Sequence, residues 1–421
     1  MQKSALFAAF LMVVSLSLPA RAEMGFGEKP VLPKPYATEP VQKFAQLAYW
    51  PAGKTPVAPK GFTVNKFAGD LDNPRWLYVL PNGDVLVSGD TRGLWFRRKE
   101  NRITLLRDAD GDGIAETKSI FLEKLDRPFG MALVKDKLYV GEQGAVLSFP
   151  YWTGDTAIKK DGEKVIDLPS GGYNHHWTRN IVANKDETKL YVSVGSASNV
   201  GEGGMEHEKD RANILEINLD GSGKRVFASG LRNPVGMDWE PVSGKLWTAV
   251  NERDNLGDDL VPDFMTSVKD GGFYGWPYFY FGKNPDPRWE GAPAGLAEKT
   301  LTPDYALGAH TASLGLAFCT AKNFPQKYSG GAFVGQHGSW NRSQFAGYKV
   351  IFIPFKNGRP AGPPEDFLTG FMPDRKAGIT YGRPVSIAFA TDGAMLVSDD
   401  AGGVVWRVER VAEAKAKHPG K

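Results

Sequence analysis

The chain has 421 residues, 51 Lys plus Arg against 48 Asp plus Glu, and a formal net charge of +3, a near balance that gives no reason to expect nucleic acid or an acidic partner. Forty-nine Gly, 29 Pro and 11 Trp suit a turn-dense all-β protein and not a helical one. A single cysteine, Cys319, excludes an internal disulfide framework, and the absence of a Cys-x-x-Cys-His run excludes covalently attached haem.

In chain order, residues 1–22 read as an export signal: Lys3 supplies the basic region, Ala5 to Leu18 the apolar stretch and Ala20-Arg21-Ala22 a small-x-small cleavage site. About fourteen apolar residues is short for a bilayer span, so cleavage and a periplasmic location are expected, with no transmembrane segment elsewhere. Removal of Lys3 and Arg21 would leave +3 − 2 = +1. Residues 23–59 are rich in Pro and lack strand alternation, which predicts an extended arm lying on the domain or closing it. Helical periodicity is weak throughout except near Val41 to Leu47.

Residues 60–410 carry a sixfold repeat. A Pro or Gly beside a polar or charged residue precedes a hydrophobic strand, a turn and a second strand. The copies begin at Asn73-Pro74-Arg75-Trp76, Arg127-Pro128-Phe129-Gly130, His176-Trp177-Thr178-Arg179, Arg232-Asn233-Pro234, Ser313-Leu314-Gly315 and Arg383-Pro384-Val385. The first four starts, at 74, 128, 180 and 234, are 54, 52 and 54 residues apart. A period near fifty predicts one small antiparallel sheet per repeat, hence a six-bladed β-propeller of four-stranded blades. Equivalent loops then send their Arg, Asn and His side chains toward one central pocket. Two long insertions, Leu256 to Pro303 and Lys356 to Thr380, interrupt the pattern, and residues 411–421 read as a charged tail.

Within the first repeat, Asp108-Ala109-Asp110-Gly111-Asp112-Gly113-Ile114-Ala115-Glu116 matches a calcium loop of EF-hand type. Asp108, Asp110 and Asp112 offer oxygens at positions one, three and five, Ile114 its carbonyl, and Glu116 an acid at nine. Ser119 stands where the bidentate Glu belongs, and flanking helices are missing, so a structural calcium in a blade turn is expected, the alternative being an acidic turn without an ion. At the third repeat, Asn174-His175-His176-Trp177-Thr178-Arg179-Asn180 presents two histidines that a strand would point to opposite faces, so one at most faces the pocket. An imidazole there suits a general base. Arg232, Asn233 and Arg383 start their own repeats, and three such groups on one axis suit a polyanionic ligand. The loop Asn251 to Asp259 is dense in acids and amides, fit for a second calcium or a solvated turn. Gly271-Gly272-Phe273-Tyr274-Gly275-Trp276-Pro277 reads as packed aromatic loop, and Cys319 as a small core residue.

Arg232-Asn233-Pro234, the Asn251 to Asp259 loop ahead of Tyr274-Gly275-Trp276-Pro277, and His176 ahead of Lys189-Leu190-Tyr191-Val192 resemble the soluble pyrroloquinoline-quinone sugar dehydrogenases. The Asn174-His175-His176-Trp177-Thr178-Arg179-Asn180 and Asn251-Glu252-Arg253-Asp254 runs look like the L-sorbosone dehydrogenase branch, with its Asn-His-Trp-Thr-Arg-Asn and Asn-Glu-Arg-Asp runs. The resemblance spans about residues 60–410. It implies six blades holding the quinone at the wide end of the channel, with His176 as the base that takes the proton of the sugar's C1 hydroxyl. It further implies that Arg232, with Asn233 beside it, binds and polarises the quinone, that the carbonyls of Asp254 and Asn255 bind calcium, and that Arg383 pairs with a cofactor carboxylate. Thr311 matches a cofactor contact in the fifth repeat, and Arg342 stands in for a lysine of those relatives. Two departures stand out. Ser196 lies where glucose-oxidising members hold the histidine with a carboxylate, and Asp254 and Asn255 replace small residues.

The expected function is therefore a quinoprotein that oxidises an aldose or sugar aldehyde and passes electrons to a cytochrome or quinone. A calcium-dependent lactonase and a non-catalytic propeller that binds sugar or an ion are the alternatives. Arginines at the blade starts favour an anionic cofactor over a bare metal.

Overall fold

A computed structural model describes residues 25–89 and 101–411; the export signal and all of the tail beyond Val411 lie outside the described residues. The chain forms a ring of six sheets, four of them four-stranded and two extended to five strands by short additions. The expected propeller is what is found. Blade 1 comprises Pro74–Val79, Val85–Gly89, Arg102–Arg107 and Thr117–Leu122, and blade 2 starts at Met131–Val134 and ends at Glu163–Asp167. Blade 3 runs from Ile181–Ala183 to Arg225–Ser229, blade 4 from Pro234–Trp239 to Tyr305–Ala309, and blade 5 from Ser313–Phe318 to Glu365–Leu368. Blade 6 takes Pro384–Phe389, Met395–Asp399 and Val404–Arg410 from the end of the chain and Phe62–Ala68 from near its beginning.

Each strand is built from alternating or continuous Val, Ile, Leu and aromatic residues, because both faces of a blade pack on neighbours. Six apolar clusters result, one between each pair of adjacent blades. Phe67, Val85, Leu396 and Val405 join blade 6 to blade 1, and Phe333, Phe352, Phe367, Met395 and Trp406 join blade 5 to blade 6. Cys319 lies in the latter cluster with its thiol pushed up to about 11 by burial, as a core residue would be. At the axis the innermost strands approach so closely that glycine is required: a Cβ on Gly315 would sit 2.1 Å from the carbonyl oxygen of Val385.

The arm lies across blades 4, 5 and 6 without forming a helix. At Val41 to Leu47 the expected periodicity is overridden because the backbone donors serve the domain: Lys43 N–H donates to Trp340 O and Gln46 N–H to Gly378 O, and Gln46–Leu47 pairs in parallel with Ile379–Thr380. Trp50 donates its indole N–H to Asp399 at 2.6 Å and packs on Trp406. Of the first insertion, Gly272–Phe273 adds a parallel strand to blade 3, Phe279–Tyr280 and Asn284–Pro285 form a hairpin, and Leu296–Lys299 is a single helical turn. Among the described residues no helix is long and apolar enough to cross a membrane.

Candidate active site at the blade starts

The loops that lead into the innermost strands converge on one end of the channel, and five of the six carry arginine: Arg75, Arg127, Arg179, Arg232 and Arg383. Arg179 is fully buried and donates only to the main-chain carbonyls of His176, Thr178 and Pro169; burial, with Arg211 and Arg127 nearby, pushes its guanidinium down to about 9. Arg127 lies 4.0 Å over the ring of Trp177. Arg383 donates from Nε to His337 O and from Nη2 to Gly338 O and faces Tyr348, with no acceptor on Nη1 among the described residues.

His176 is buried and held through one ring nitrogen. Nδ1 lies 2.9 Å from both the carbonyl oxygen and the Oγ of Ser196, and the Ser196 hydroxyl donates to Ser198 O at 2.6 Å. Both Ser196 oxygens are then acceptors, so Nδ1 carries the proton and Nε2 the free lone pair. Burial, then Arg232 and His175, hold the imidazole well below its ordinary value of 6.5. Contrary to the expectation of opposite faces, His175 stacks flat on His176, with ring centroids 4.9 Å apart and 7° between planes. The segment is loop and not strand, so the pleat does not apply. Gly195 lets His176 and Asn233 approach the main chain closely: a Cβ there would lie 2.5 Å from His176 Cβ and 2.6 Å from Asn233 Oδ1. That Oδ1 is buried and has no hydrogen-bond partner among the described residues. Beside His175, whose Nδ1 meets the Tyr173 hydroxyl, opens a cavity of about 660 Å³ lined by Tyr173, Glu202, His207 and Arg211.

The other expected residues lie in tight networks. All five N–H donors of Arg232 are engaged: Nε with Asn199 O, Nη1 with Asn251 O and Glu252 O, and Nη2 with Asn199 Oδ1 and Asp254 Oδ2. Thr311 donates to Asp263 Oδ2 and contacts Ser313 Oγ; Asp263, fully buried, is pushed up to about 7. Arg342 ties the rim together through Asp258 O, Gln344 O and Asp259. Asp254 accepts from Asn341 as well as Arg232, and Asn255 takes a left-handed φ of 71°. The loop is no solvated turn, since Glu252 and Arg253 are buried and paired at 2.8 Å. Away from the channel, Asp108, Asp110, Asp112 and Glu116 bring carboxylate oxygens within 4.8 Å of one another, the only such grouping among the described residues. Their turn is preorganised by main-chain donors, Gly111 and Gly113 to Asp108, and Ile114 to Asp112.

One cluster was not anticipated as functional. Asp400 accepts from His337 Nε2 at 2.9 Å and from Arg75 Nη1 at 2.5 Å. Burial would raise its carboxyl, but His337, Arg75 and Arg383 outweigh that and hold it well below the usual range. An ionised Asp400 fixes the proton on Nε2 of His337 and leaves Nδ1 as the second ring nitrogen. The available signal was an Arg in the first repeat start and the Asp399-Asp400 pair after a strand.

The fold is similar to that of solved pyrroloquinoline-quinone-dependent sugar dehydrogenases. The holo PQQ domain of pyranose dehydrogenase from Coprinopsis cinerea superposes with a TM-score of 0.71 at 20% identity, over 86% of this chain and 99% of that one. Residues 56–267 and 294–411 match the family described as TrAA12-like, and the chain belongs to it. An uncharacterized protein of Borreliella burgdorferi is 30% identical over 369 residues, 83% of this chain and 89% of that protein. The pyrroloquinoline quinone-dependent pyranose dehydrogenase of Coprinopsis cinerea is 22% identical; the match covers 84% of this chain but only 54% of that enzyme.

Proposed function

We propose that the chain is an exported quinoprotein oxidoreductase that oxidises an aldose or a related sugar aldehyde with pyrroloquinoline quinone. The observation that carries the reading is the buried His176 with Arg232 and Arg179 near it, in a set of blade starts five of which carry arginine, which suits a ligand with several carboxylates. The donor set fits the cofactor. Arg383 has an uncommitted Nη1 for a carboxylate, Asn233 Oδ1 is a buried acceptor awaiting a donor, and Arg232 contributes its charge through space. When bound, the quinone accepts the hydride; the protein's part is to bind, orient and take the proton. His176 Nε2 is the base at the sugar's C1 hydroxyl, and Ser196 fixes its tautomer without lending the negative charge of a carboxylate. The run from Asn174 to Asn180, by its likeness to the sorbosone branch, favours a sorbosone-type substrate. Electrons leave to a cytochrome or quinone acceptor, and the export signal read at residues 1–22 supports a periplasmic location.

Titration of purified protein with pyrroloquinoline quinone, followed by absorbance and by dye reduction on a panel of aldoses and sugar aldehydes, tests this. Saturable binding and sugar-dependent reduction are expected. Failure to bind the quinone with or without calcium would redirect the search to lactone hydrolysis. That alternative lacks a converging set of side-chain carboxylates at the channel among the described residues, where the close acidic grouping is the Asp108 to Glu116 turn.

Calcium belongs in that turn. Binding only the folded state, it should raise stability by roughly 2.7 kcal/mol at a hundredfold excess over Kd. Calcium is therefore expected to raise Tm relative to EGTA, and Asp108→Ala to abolish the difference. Identical melting of the parent in calcium and in EGTA would show that the turn carries no ion.

A further inference from the structure

The loop from Asn251 to Asp259 is where the quinone reading puts a second calcium, on the carbonyls of Asp254 and Asn255, and the inference here rests on that reading. The residues do not fit a calcium there. Asp254 O already accepts from Arg288 Nη1 at 2.8 Å and from Asn199 Nδ2 at 3.3 Å. Arg288 is held in place by a bidentate pair with Asp286, Nε to Oδ1 at 2.8 Å and Nη2 to Oδ2 at 2.7 Å, and the Asp286 side chain is fully buried. Asp286 in turn receives Arg253 Nη1 at 3.2 Å. The position is thus built, not an accident of a floppy side chain.

Charge points the same way. Arg232, Arg253 and Arg288 face Glu252, Asp254 and Asp286, so the cluster sums to +3 − 3 = 0. A dication at Asp254 O would have to displace a charge-assisted hydrogen bond and would add +2 beside three guanidiniums in a largely buried setting. Calcium also wants six to eight oxygens, whereas the Asp254 carboxylate is spent on Arg232 and Asn341. Arg288, by contrast, uses three of its five N–H donors, and the remaining two have no acceptor among the described residues. Its side chain is 21% exposed, enough to meet a ligand. It sits in the stretch between the two segments matched to the family.

We propose that Arg288 is a built-in cation standing where a loop-bound calcium would clamp the cofactor, so that this chain holds its anionic quinone without a metal at Asp254 and Asn255. Two measurements test it. The first needs no quinone: calorimetric titration of calcium into the full chain carrying Asp108→Ala and Asp110→Ala, which removes the surface turn. No saturable binding is expected; a stoichiometric site that persists there would overturn the proposal. The second is absorbance titration of pyrroloquinoline quinone in calcium and in EGTA. The parent should bind equally in both. Arg288→Ala should bind roughly tenfold or more weakly in EGTA, the loss of one charge-assisted contact, and recover with added calcium. Arg288→Lys, which keeps the charge if the alanine variant folds poorly, should remain insensitive to EGTA. A parent that needs calcium to bind the quinone refutes the idea. A parent that binds no quinone under either condition defeats the quinone reading instead, and the calorimetry alone then decides whether the loop takes a metal.

Discussion

His176→Ala is expected to reduce turnover by about 10²–10⁴-fold, the range for loss of a general base, while leaving quinone binding intact. The imidazole is held through Nδ1 by Ser196, with His175 stacked on its face, and offers Nε2 as its free lone pair. Because burial and then Arg232 and His175 keep its pKa well below 6.5, the base form is already complete at neutral pH. The acid limb of kcat/KM in the parent should accordingly lie well below pH 6.5. Steady-state kinetics across pH on parent and variant check both statements. Unchanged turnover in the variant, or an acid limb centred at the ordinary histidine value, would remove His176 from the role.

Arg253→Ala should cost about 3–5 kcal/mol of stability, the effect of leaving a buried charge without its partner. The guanidinium is completely buried between Glu252 and Asp286 and also satisfies the carbonyls of Pro277 and Phe279. Its removal strands the Glu252 carboxylate and two carbonyl oxygens at once, leaves Asp286 with Arg288 as its remaining cation, and loosens the insertion from the Asn251 to Asp259 loop. Denaturant unfolding of the variant measures the loss, and a midpoint equal to the parent's would contradict it. The exposed pair Lys164–Asp167 illustrates the contrast, since a surface contact of that kind is worth less than about 1 kcal/mol.

The propeller was legible because each blade repeats one phrase, a start with Pro or Gly in five of the six copies and a strand pair after it. Where the chain leaves that phrase, legibility ends. Phe62–Ala68 completes blade 6 beside Val404–Arg410, and no local signal reports a partner more than three hundred residues away. The same holds for the site. Arg232, Asn233, His176 and Arg383 could be read because they sit in repeat starts. The Arg75–Asp400–His337 cluster draws on blades 1, 5 and 6, and its meaning lies in the meeting of three loops. Arg288 lies in an insertion without periodicity, so its reach to Asp254 is visible only in three dimensions. His175 and His176 lie in a loop, where the strand pleat does not hold, and neither their stacking nor the close approach of His176 to Gly195 leaves a trace in hydrophobic pattern.

The last blade is made from both ends of the domain, and this has a kinetic consequence. During synthesis five sheets can form behind the ribosome, but the sixth waits for residues near 404–410 to emerge and meet a strand made some three hundred and forty positions earlier. Closing so long a loop is entropically slow relative to local pairing. Until it closes, the edges of blades 1 and 5 and the apolar faces around Leu77, Val85, Phe333 and Phe352 remain open to solvent and to other chains. The ring therefore behaves as a clasp: a chain cut short within its final strand would lack not one edge but the step that locks all the other blades together.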